Sequence, residues 1–331
     1  MRLVMGENSP KFLLVISPLK MLVAFSRDVS VYITLARFSD QSPSNGFTHF
    51  SVDVSMFKKM YLSFILIFAI SCSSLQAQHI KEIDLKNTQC KVDYAKYVNA
   101  NNNHCLRLIT VGNMLTHPDE LIIYLHGDNG VGGASYMSTI GSHFTKNKRM
   151  HIALIRPGYF DDEANFSTGT SLGVSSTKIA GRLDNYTREN VQIIGQAITN
   201  LKNHYQPKKI WLVGHSGGGA IAALLLNEFP NLANGALLIN CPCDVKHWRP
   251  DWANSLSPIE HINNIPKNAK VIVLNGTMDD VVWPELGKAY AQELVKNGVD
   301  AKFYMGIGMK HDLSDKATRD STMSAIKAFL E

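Results

Sequence analysis

Short apolar runs alternate with longer segments of helical length over most of the chain after residue 120. The runs are four or five residues long, which is typical of buried parallel strands. They predict strands at 121–125, 151–155, 210–213, 236–239, 271–274 and 301–305, after two N-terminal strands that follow residue 78. The segments between them predict helices near 133–147, 185–205, 218–229 and 284–297. This alternation predicts an α/β fold with a mainly parallel central sheet and helices on both faces.

The first 77 residues have a different pattern. Two lysines, Lys58 and Lys59, precede a ten-residue apolar run at 61–70, and a segment rich in small residues follows at 71–77. This order is typical of a secretory signal peptide. Ten helical residues span about 15 Å, half of a hydrocarbon core of roughly 30 Å, so a transmembrane helix is disfavoured. We therefore interpret 56–77 as a signal peptide that begins at the true start, Met56, and 1–55 as an extension that is not part of the natural protein. The alternative is a genuine membrane-proximal N-terminal segment.

Two sequences near the end of this signal compete as its cleavage site. Ala77 suits an ordinary signal peptidase, which would release a periplasmic or secreted protein beginning at Gln78. The sequence Ala-Ile-Ser-Cys at 69–72 resembles a bacterial lipobox, which would leave the protein anchored through a lipid on Cys72. Export with release is favoured, and lipid anchoring is the alternative.

The overall charge balance changes once these segments are set aside. The full chain of 331 residues has a net charge of +5, with 45% hydrophobic and 18% charged residues. These values exclude a disordered chain, and the positive balance is too weak to indicate nucleic acid binding. Residues 1–77 contain seven Lys and Arg against four Asp and Glu, so 78–331 has a net charge of only +2. That segment is predicted to fold as one domain.

Four cysteines remain after Cys72, namely Cys90, Cys105, Cys241 and Cys243. An even number in an exported chain is compatible with disulfides, and the sequence leaves three pairings open. Pairing of the first two is favoured because it closes a short loop, which contributes about 3 kcal/mol to stability. The Cys-Pro-Cys pair at 241–243 has no matching Cys or His pair at zinc-finger spacing, so buried or bridged cysteines are favoured over a metal site.

One motif carries the chemistry. Residues 214–218 read Gly-His-Ser-Gly-Gly, between an apolar strand and a helix, which is the context of a nucleophile elbow. The sharp turn exposes the hydroxyl of Ser216, and the helix N-terminus that follows favours negative charge. A second match to G-x-S-x-G at 169–173 has neither a strand before it nor a helix after it, so we interpret it as chance.

A serine nucleophile needs a base and an acid that orients the base. Asp279 and Asp280 follow the strand at 271–274, at the sheet edge where the elbow also lies. Asp279 is favoured for its spacing from Gly276, and Asp280 is interpreted as solvated or helix-capping. His311 follows the last strand, which completes the order Ser, Asp, His that is typical of this elbow.

Two backbone N–H groups are expected to bind the developing oxyanion. Gly217, directly after the nucleophile, is predicted to supply one. The other is predicted to come from the loop after residue 125, with Asp128 favoured over Gly127. His126 in the same loop is interpreted as a packing residue.

These motifs resemble those of the α/β-hydrolases over roughly residues 80–331. The resemblance implies a central sheet of about eight strands and acyl-enzyme hydrolysis without a cofactor or metal. The segment 257–261 and the acid turn also resemble the catalytic domains of prolyl-oligopeptidase-like peptidases. Those enzymes usually have aromatic residues beside the nucleophile, where this chain has His215 and Gly217. An exported carboxylic esterase is therefore favoured, with a peptidase or amidase and a non-catalytic binding protein as alternatives.

Two segments are expected to choose the substrate, namely 158–184 and the short lid region 244–269. Their candidate contacts are Tyr159, Trp248, Arg249 and Trp252. The shortness of the lid predicts an open cleft for a small or moderately sized ester. Arg182, Arg188 and Arg249 are candidates for a substrate carboxylate, although exposed charges are favoured for each. Neither a nucleic acid partner nor a stable membrane span is expected, and the oligomeric state is left open.

Overall fold

The computed structural model describes residues 21–25, 31–35, 90–100, 104–128, 134–163, 165–168, 184 and 186–331. The chain divides into residues 1–79 and residues 80–331. In the first part, Met21–Phe25 (β1) and Val31–Leu35 (β2) form an antiparallel pair. The predicted signal peptide at 56–77, Cys72, Arg182 and the second serine motif at 169–173 lie outside the described residues.

An eight-stranded sheet forms the centre of the second part, in the order β10-β9-β8-β7-β5-β6-β4-β3. Strands β5 to β10 are parallel, β4 is antiparallel to β6, and β3 is antiparallel to β4. The prediction of a mainly parallel sheet of about eight strands is confirmed. The strands are β3 (Tyr97–Asn99), β4 (Cys105–Val111), β5 (Glu120–Leu125), β6 (Arg149–Leu154), β7 (Lys209–His215), β8 (Gly235–Ile239), β9 (Lys270–Gly276) and β10 (Ala301–Gly306).

Helices cover both faces of this sheet, as predicted. They are α1 (Tyr136–Ser142), α2 (Arg188–Tyr205), α3 (Gly217–Glu228), α4 (Val245–Trp248), α5 (Pro284–Lys296) and α6 (Lys316–Leu330), with a 3₁₀ turn at Pro258–Glu260. Alternate residues of β5 enter two separate cores, because successive side chains of a strand point to opposite faces. Ile123 packs in the core that includes α2, α3 and α5, and Tyr124 packs in the one that includes α1 and α6. Within the described ranges, no helix is long and apolar enough to cross a membrane.

Three helices differ from the sequence prediction, and one of them is the four-residue helix α4, which was not predicted. Helix α1 is shorter than 133–147: it ends at Ser142, and the chain then turns toward β6 through Lys148, whose φ is 65°. Helix α6 was not predicted at all. Its buried face includes Thr318 and Thr322, which weaken the apolar periodicity, although the N-cap at Asp315 is a start signal.

Two disulfides are present in the described chain. One joins Cys90 to Cys105, the first residue of β4, and so fastens the segment before β3 to the sheet. The other joins Cys241 to Cys243 just after β8. A Cβ at Gly219 would lie only 3.1 Å from the Cβ of Cys241, so the start of α3 packs closely on this bridge.

His151 is a titratable group inside the core between the sheet and helix α1. Its ring is fully buried on β6, and its Nδ1 lies 3.0 Å from the hydroxyl of Tyr124. Burial, reinforced by the positive charge of Arg149, lowers the pKa of His151 from 6.5 to about 4. The folded protein therefore keeps this ring neutral over a pH range in which the unfolded chain binds a proton.

We predict that the free energy of unfolding falls as the pH is lowered from about 6.5 toward 4, with His151 contributing a slope of up to ~1.4 kcal/mol per pH unit. The contribution is complete above the unfolded pKa and is lost toward the folded one. In His151→Asn the decline should be shallower, whatever the stability at pH 7. Chemical unfolding at a series of pH values measures both slopes, and equal slopes would contradict the prediction.

Candidate active site

Ser216 occupies a sharp turn between β7, which ends at His215, and α3, which begins at Gly217. Its φ of 53° and ψ of −123° are strained for a residue with a side chain. The turn requires close backbone approaches that only glycine permits. A Cβ at Gly214 would lie 2.3 Å from the carbonyl oxygen of Gly218, and one at Gly218 would lie 2.2 Å from that of Leu125.

Three side chains from three loops meet at this turn. His311 Nε2 lies 3.0 Å from Ser216 Oγ, and His311 Nδ1 lies 2.8 Å from Asp279 Oδ2. The Asp279 side chain is fully buried, and that of His311 is 13% exposed. Because an ionised carboxylate only accepts hydrogen bonds, the proton on His311 belongs on Nδ1, which leaves Nε2 free to accept the serine proton.

The backbone selects Asp279 rather than Asp280 for this contact. Asp279 Oδ1 accepts the N–H groups of Val281 and Val282 at 2.9 and 2.8 Å, which fixes the carboxylate against its own turn. Asp280 is exposed and lines the cleft in front of Ser216.

The N–H groups around Ser216 differ in their partners. That of Gly127 is donated to the hydroxyl of Tyr136 at 2.6 Å. Those of Gly217 and Asp128 have no acceptor among the residues that the structure describes. The loop lies close to Ser216, since a Cβ at Gly127 would be 3.0 Å from the Cβ of Ser216.

A buried ion pair holds this loop beside the elbow. Arg156 donates to Asp128 Oδ1 at 2.5 Å, and both side chains are at most 3% exposed. Tyr186 donates to the other carboxylate oxygen at 2.6 Å, and the Tyr159 hydroxyl lies 3.3 Å from Oδ1. Burial and the Asp128 charge raise the pKa of Tyr186 well above 10, so its hydroxyl keeps the proton that it donates.

His126 fixes the same loop to the sheet. Its Nε2 accepts the backbone N–H of Arg156 at 2.9 Å, and its Nδ1 donates to the carbonyl of Gly127 at 2.8 Å. Burial, together with the charge of Arg156, lowers the pKa of His126 well below 6.5. The neutral ring of His126 therefore joins the loop to the end of β6 and makes no hydrogen bond to Ser216, His311 or Asp279.

Two of the predicted substrate contacts, Trp248 and Trp252, do not line the described cleft at Ser216. Trp248 and Trp252 are 4% and 6% exposed and pack edge-on in the core, so they are not part of the described cleft wall. Trp248 donates its indole N–H to the carbonyl of Val281, and Arg249 lies over the Trp248 ring at 4.6 Å. These residues support the acid turn from behind, because the segment 244–269 folds onto the core instead of over the cleft.

The remaining predicted contacts also have structural partners. Tyr159 packs against the His126 ring and contacts Asp128. Arg188 forms an ion pair with Glu228, which joins the start of α2 to the end of α3. Among the described residues, no cluster of three His, Cys, Asp or Glu side chains is arranged to hold a metal ion.

An open cleft of about 670 Å³ lies in front of Ser216. Most of its described walls were not predicted from the sequence, and they come from α1 on one side and from the segment after His311 on the other. Those residues are Tyr136, Thr139, Ile140, Asp312, Leu313, Ser314 and Arg319. The only cue was position: α1 follows the loop of Gly127, and the other wall follows the last strand.

Two family models match parts of the chain. That of the prolyl oligopeptidase family matches residues 245–331, which include Asp279 and His311. That of the class 3 lipases matches residues 162–231, which include Ser216. Each match covers less than half of the chain. No curated protein matches the sequence.

Solved structures resemble the chain over most of its length. An esterase of Pyrococcus furiosus has a TM-score of 0.55 at 15% identity, over 71% of this chain and 90% of its own. Est1E of Butyrivibrio proteoclasticus, solved with ferulic acid, has a TM-score of 0.55 at 14% identity, over 71% and 98%. An acylaminoacyl peptidase has a TM-score of 0.53 at 13% identity, over 71% of this chain and 40% of its own. At such identities the likeness shows the fold alone, and that fold is the α/β-hydrolase fold.

Proposed function

We propose that the protein is a serine hydrolase that cleaves carboxylic esters. The observation that carries this proposal is the continuous hydrogen-bonded series from Ser216 through His311 to Asp279, with contacts of 3.0 and 2.8 Å, at a strained turn on the sheet edge. In it, Ser216 is the nucleophile, His311 is the general base and then the general acid, and Asp279 orients the imidazole.

The reaction proceeds in two acyl transfers. Ser216 Oγ bonds to the ester carbonyl carbon while its proton passes to His311 Nε2. The tetrahedral intermediate then breaks the bond to the alcohol oxygen, which leaves with that proton. Water, deprotonated by the same nitrogen, attacks the acyl-serine, and the acid is released as Ser216 regains its proton. The contact with Asp279 keeps the imidazole in the required tautomer throughout and stabilises its positive charge.

The backbone N–H groups of Gly217 and Asp128 form the proposed oxyanion hole. Both lack an acceptor among the described residues, whereas that of Gly127 is occupied by Tyr136, so Asp128 is the better second donor. Each such donor contributes about 10²–10³-fold in rate. Arg156 offsets the Asp128 carboxylate, which otherwise would repel the developing negative charge.

The cleft supports a substrate of small to moderate size. It is open, and the segment 244–269 packs on the core and leaves the described mouth uncovered. The Pyrococcus furiosus neighbour is named as an esterase, which favours esters over amides. A peptidase or amidase activity is the second candidate, favoured by the family match over Asp279 and His311 and by the acylaminoacyl peptidase.

Export to an oxidising compartment fits the same proposal. The two disulfides, Cys90–Cys105 and Cys241–Cys243, persist more readily outside the cytosol. The signal-like layout at 56–77 supports release into the periplasm or medium.

Substitution of the nucleophile tests the reaction. We predict that residues 78–331 hydrolyse p-nitrophenyl esters of short acyl chains, and that Ser216→Ala lowers kcat by at least about 10⁴-fold because no other group supplies the oxygen. Aminoacyl p-nitroanilides, measured on the same preparation, should react far more slowly. Faster cleavage of the anilides would favour the peptidase, and undiminished ester cleavage by the variant would contradict the role of Ser216.

The two neighbouring aspartates provide a matched pair for the orienting acid. We predict that Asp279→Asn lowers kcat for the same esters by about 10⁴-fold, because the amide holds the wrong tautomer of His311. Asp280→Asn, an equal change on an exposed side chain, should alter kcat by less than about threefold. Both variants should keep the thermal unfolding midpoint close to that of the parent. A reversed order of effects would transfer the role to Asp280.

A further inference from the structure

A second set of hydrogen bonds runs along the cleft wall beside Ser216. The N–H of Gly127 is donated to the hydroxyl of Tyr136 at 2.6 Å, and that hydroxyl lies 2.8 Å from His215 Nδ1. On the other side of the ring, His215 Nε2 lies 3.0 Å from the backbone carbonyl oxygen of His311. Two side chains thus join the loop of Gly127 and Asp128 to the loop that presents His311.

The two ends of this series fix the position of every proton in it. A backbone N–H can only donate and a carbonyl can only accept. Since the Tyr136 oxygen accepts from Gly127, its own proton is directed to His215 Nδ1. His215 therefore carries its proton on Nε2 and donates it to the carbonyl of His311.

The surroundings of His215 keep the ring in this neutral form. The residue is 6% exposed, and Tyr136 packs edge-on against it with the ring centroids 5.7 Å apart. Burial and the nearby His311 lower the pKa of His215 to about 4. Burial also keeps the proton on Tyr136, whose pKa is raised well above 10.

The carbonyl of His311 has a second donor on the opposite side of the series. Asn240, at the end of β8, donates its side-chain amide to the carbonyls of Lys310 and His311 at 2.8 and 3.2 Å. Its Oδ1 accepts the N–H of Gly276 at the start of the acid turn. The backbone of the histidine loop is therefore held directly by groups from two strand ends.

We propose that Tyr136 and His215 are positioning residues that set the oxyanion loop and the general base at a fixed separation. The inference rests on the proposed function for its catalytic consequence. Neither side chain touches the reacting atoms in this role, because the hydroxyl proton and the ring proton are both committed to neighbours within the protein. This fixed separation keeps the N–H of Asp128 in place for the substrate carbonyl oxygen and keeps His311 Nε2 in place for Ser216 Oγ.

The first test is independent of activity. In the protein labelled with ¹⁵N-histidine, NMR should find His215 as the neutral Nε2–H tautomer at pH 7, with its resonances assigned by their loss in His215→Gln. In Tyr136→Phe the ¹⁵N chemical shift of His215 Nδ1 should move toward the value of a ring nitrogen that accepts no hydrogen bond. A resting Nδ1–H tautomer would overturn the inference even if the enzyme were fully active.

The second test compares kcat with KM. Tyr136→Phe leaves the N–H of Gly127 without its acceptor, so kcat for a short p-nitrophenyl ester should fall by about 10- to 100-fold while KM changes by less than about threefold. In His215→Asn, the amide oxygen can replace Nδ1 as the acceptor for the Tyr136 hydroxyl, but no group replaces the Nε2–H that is donated to the His311 carbonyl. We expect a loss of kcat of similar size. A change confined to KM would instead make Tyr136 a substrate contact and overturn the inference.

The double variant tests whether the two residues act as one unit. If they form a single connection, Tyr136→Phe combined with His215→Asn should lose no more kcat than the worse single variant. Multiplication of the two losses would mean that they act independently, which contradicts the proposal.

The chain supplies a matched control for simple destabilisation. Tyr124 and His151 form the same kind of buried contact, with the hydroxyl 3.0 Å from Nδ1, between β5 and β6 in the core. Tyr124→Phe should lower the thermal unfolding midpoint as Tyr136→Phe does, yet leave kcat within about twofold of the parent. An equal loss of kcat in the two variants would reduce the role of Tyr136 to general stability. An inactive parent would refute the proposed function and leave the tautomer measurement to decide the inference.

Discussion

The backbone of Ser216 is the constraint on which the rest of the site depends. A side chain held at a φ of 53° costs about 1–3 kcal/mol, and such strain persists only where the surrounding structure compensates for it. Here the N–H of Ser216 is donated to the carbonyl of Ile239, and its carbonyl accepts from Gly219, each at 2.8 Å. The turn is thereby joined to β8 and α3, and its hydroxyl faces the sheet edge where the other loops emerge.

A buried carboxylate lies on each side of that turn, and each has hydrogen-bond partners within the protein. The Asp279 carboxylate is satisfied by two backbone N–H groups and by His311, and the Asp128 carboxylate is satisfied by Arg156 and Tyr186. An unpaired charge at either place would be strongly destabilising. Each carboxylate fixes one loop beside Ser216, so these contacts define the geometry of the site. The neutral pair of Tyr136 and His215 then links the two loops to each other.

The sequence indicated the parts of the site that depend on local pattern. Glycines around Ser216, an acid after β9 and a histidine after β10 can be recognised because parallel strands end at one edge. Tyr136 could not be recognised in this way, since its contact with His215 joins positions 79 residues apart. Trp248 was expected at the substrate, yet an apolar residue in a short insertion has the same pattern whether it faces a cleft or a core. Helix α6 was missed for a similar reason, because two threonines interrupt its buried stripe.

The most direct test of the central claim is to locate a covalent adduct. Tryptic cleavage after Lys209 and Lys246 yields a peptide in which Ser216 is the sole hydroxyl side chain. After reaction of residues 78–331 with a fluorophosphonate, mass spectrometry should find one probe per chain on this peptide, and none on the Ser216→Ala protein. An adduct on any other peptide, or labelling that survives the substitution, would contradict the assignment of Ser216 as the nucleophile.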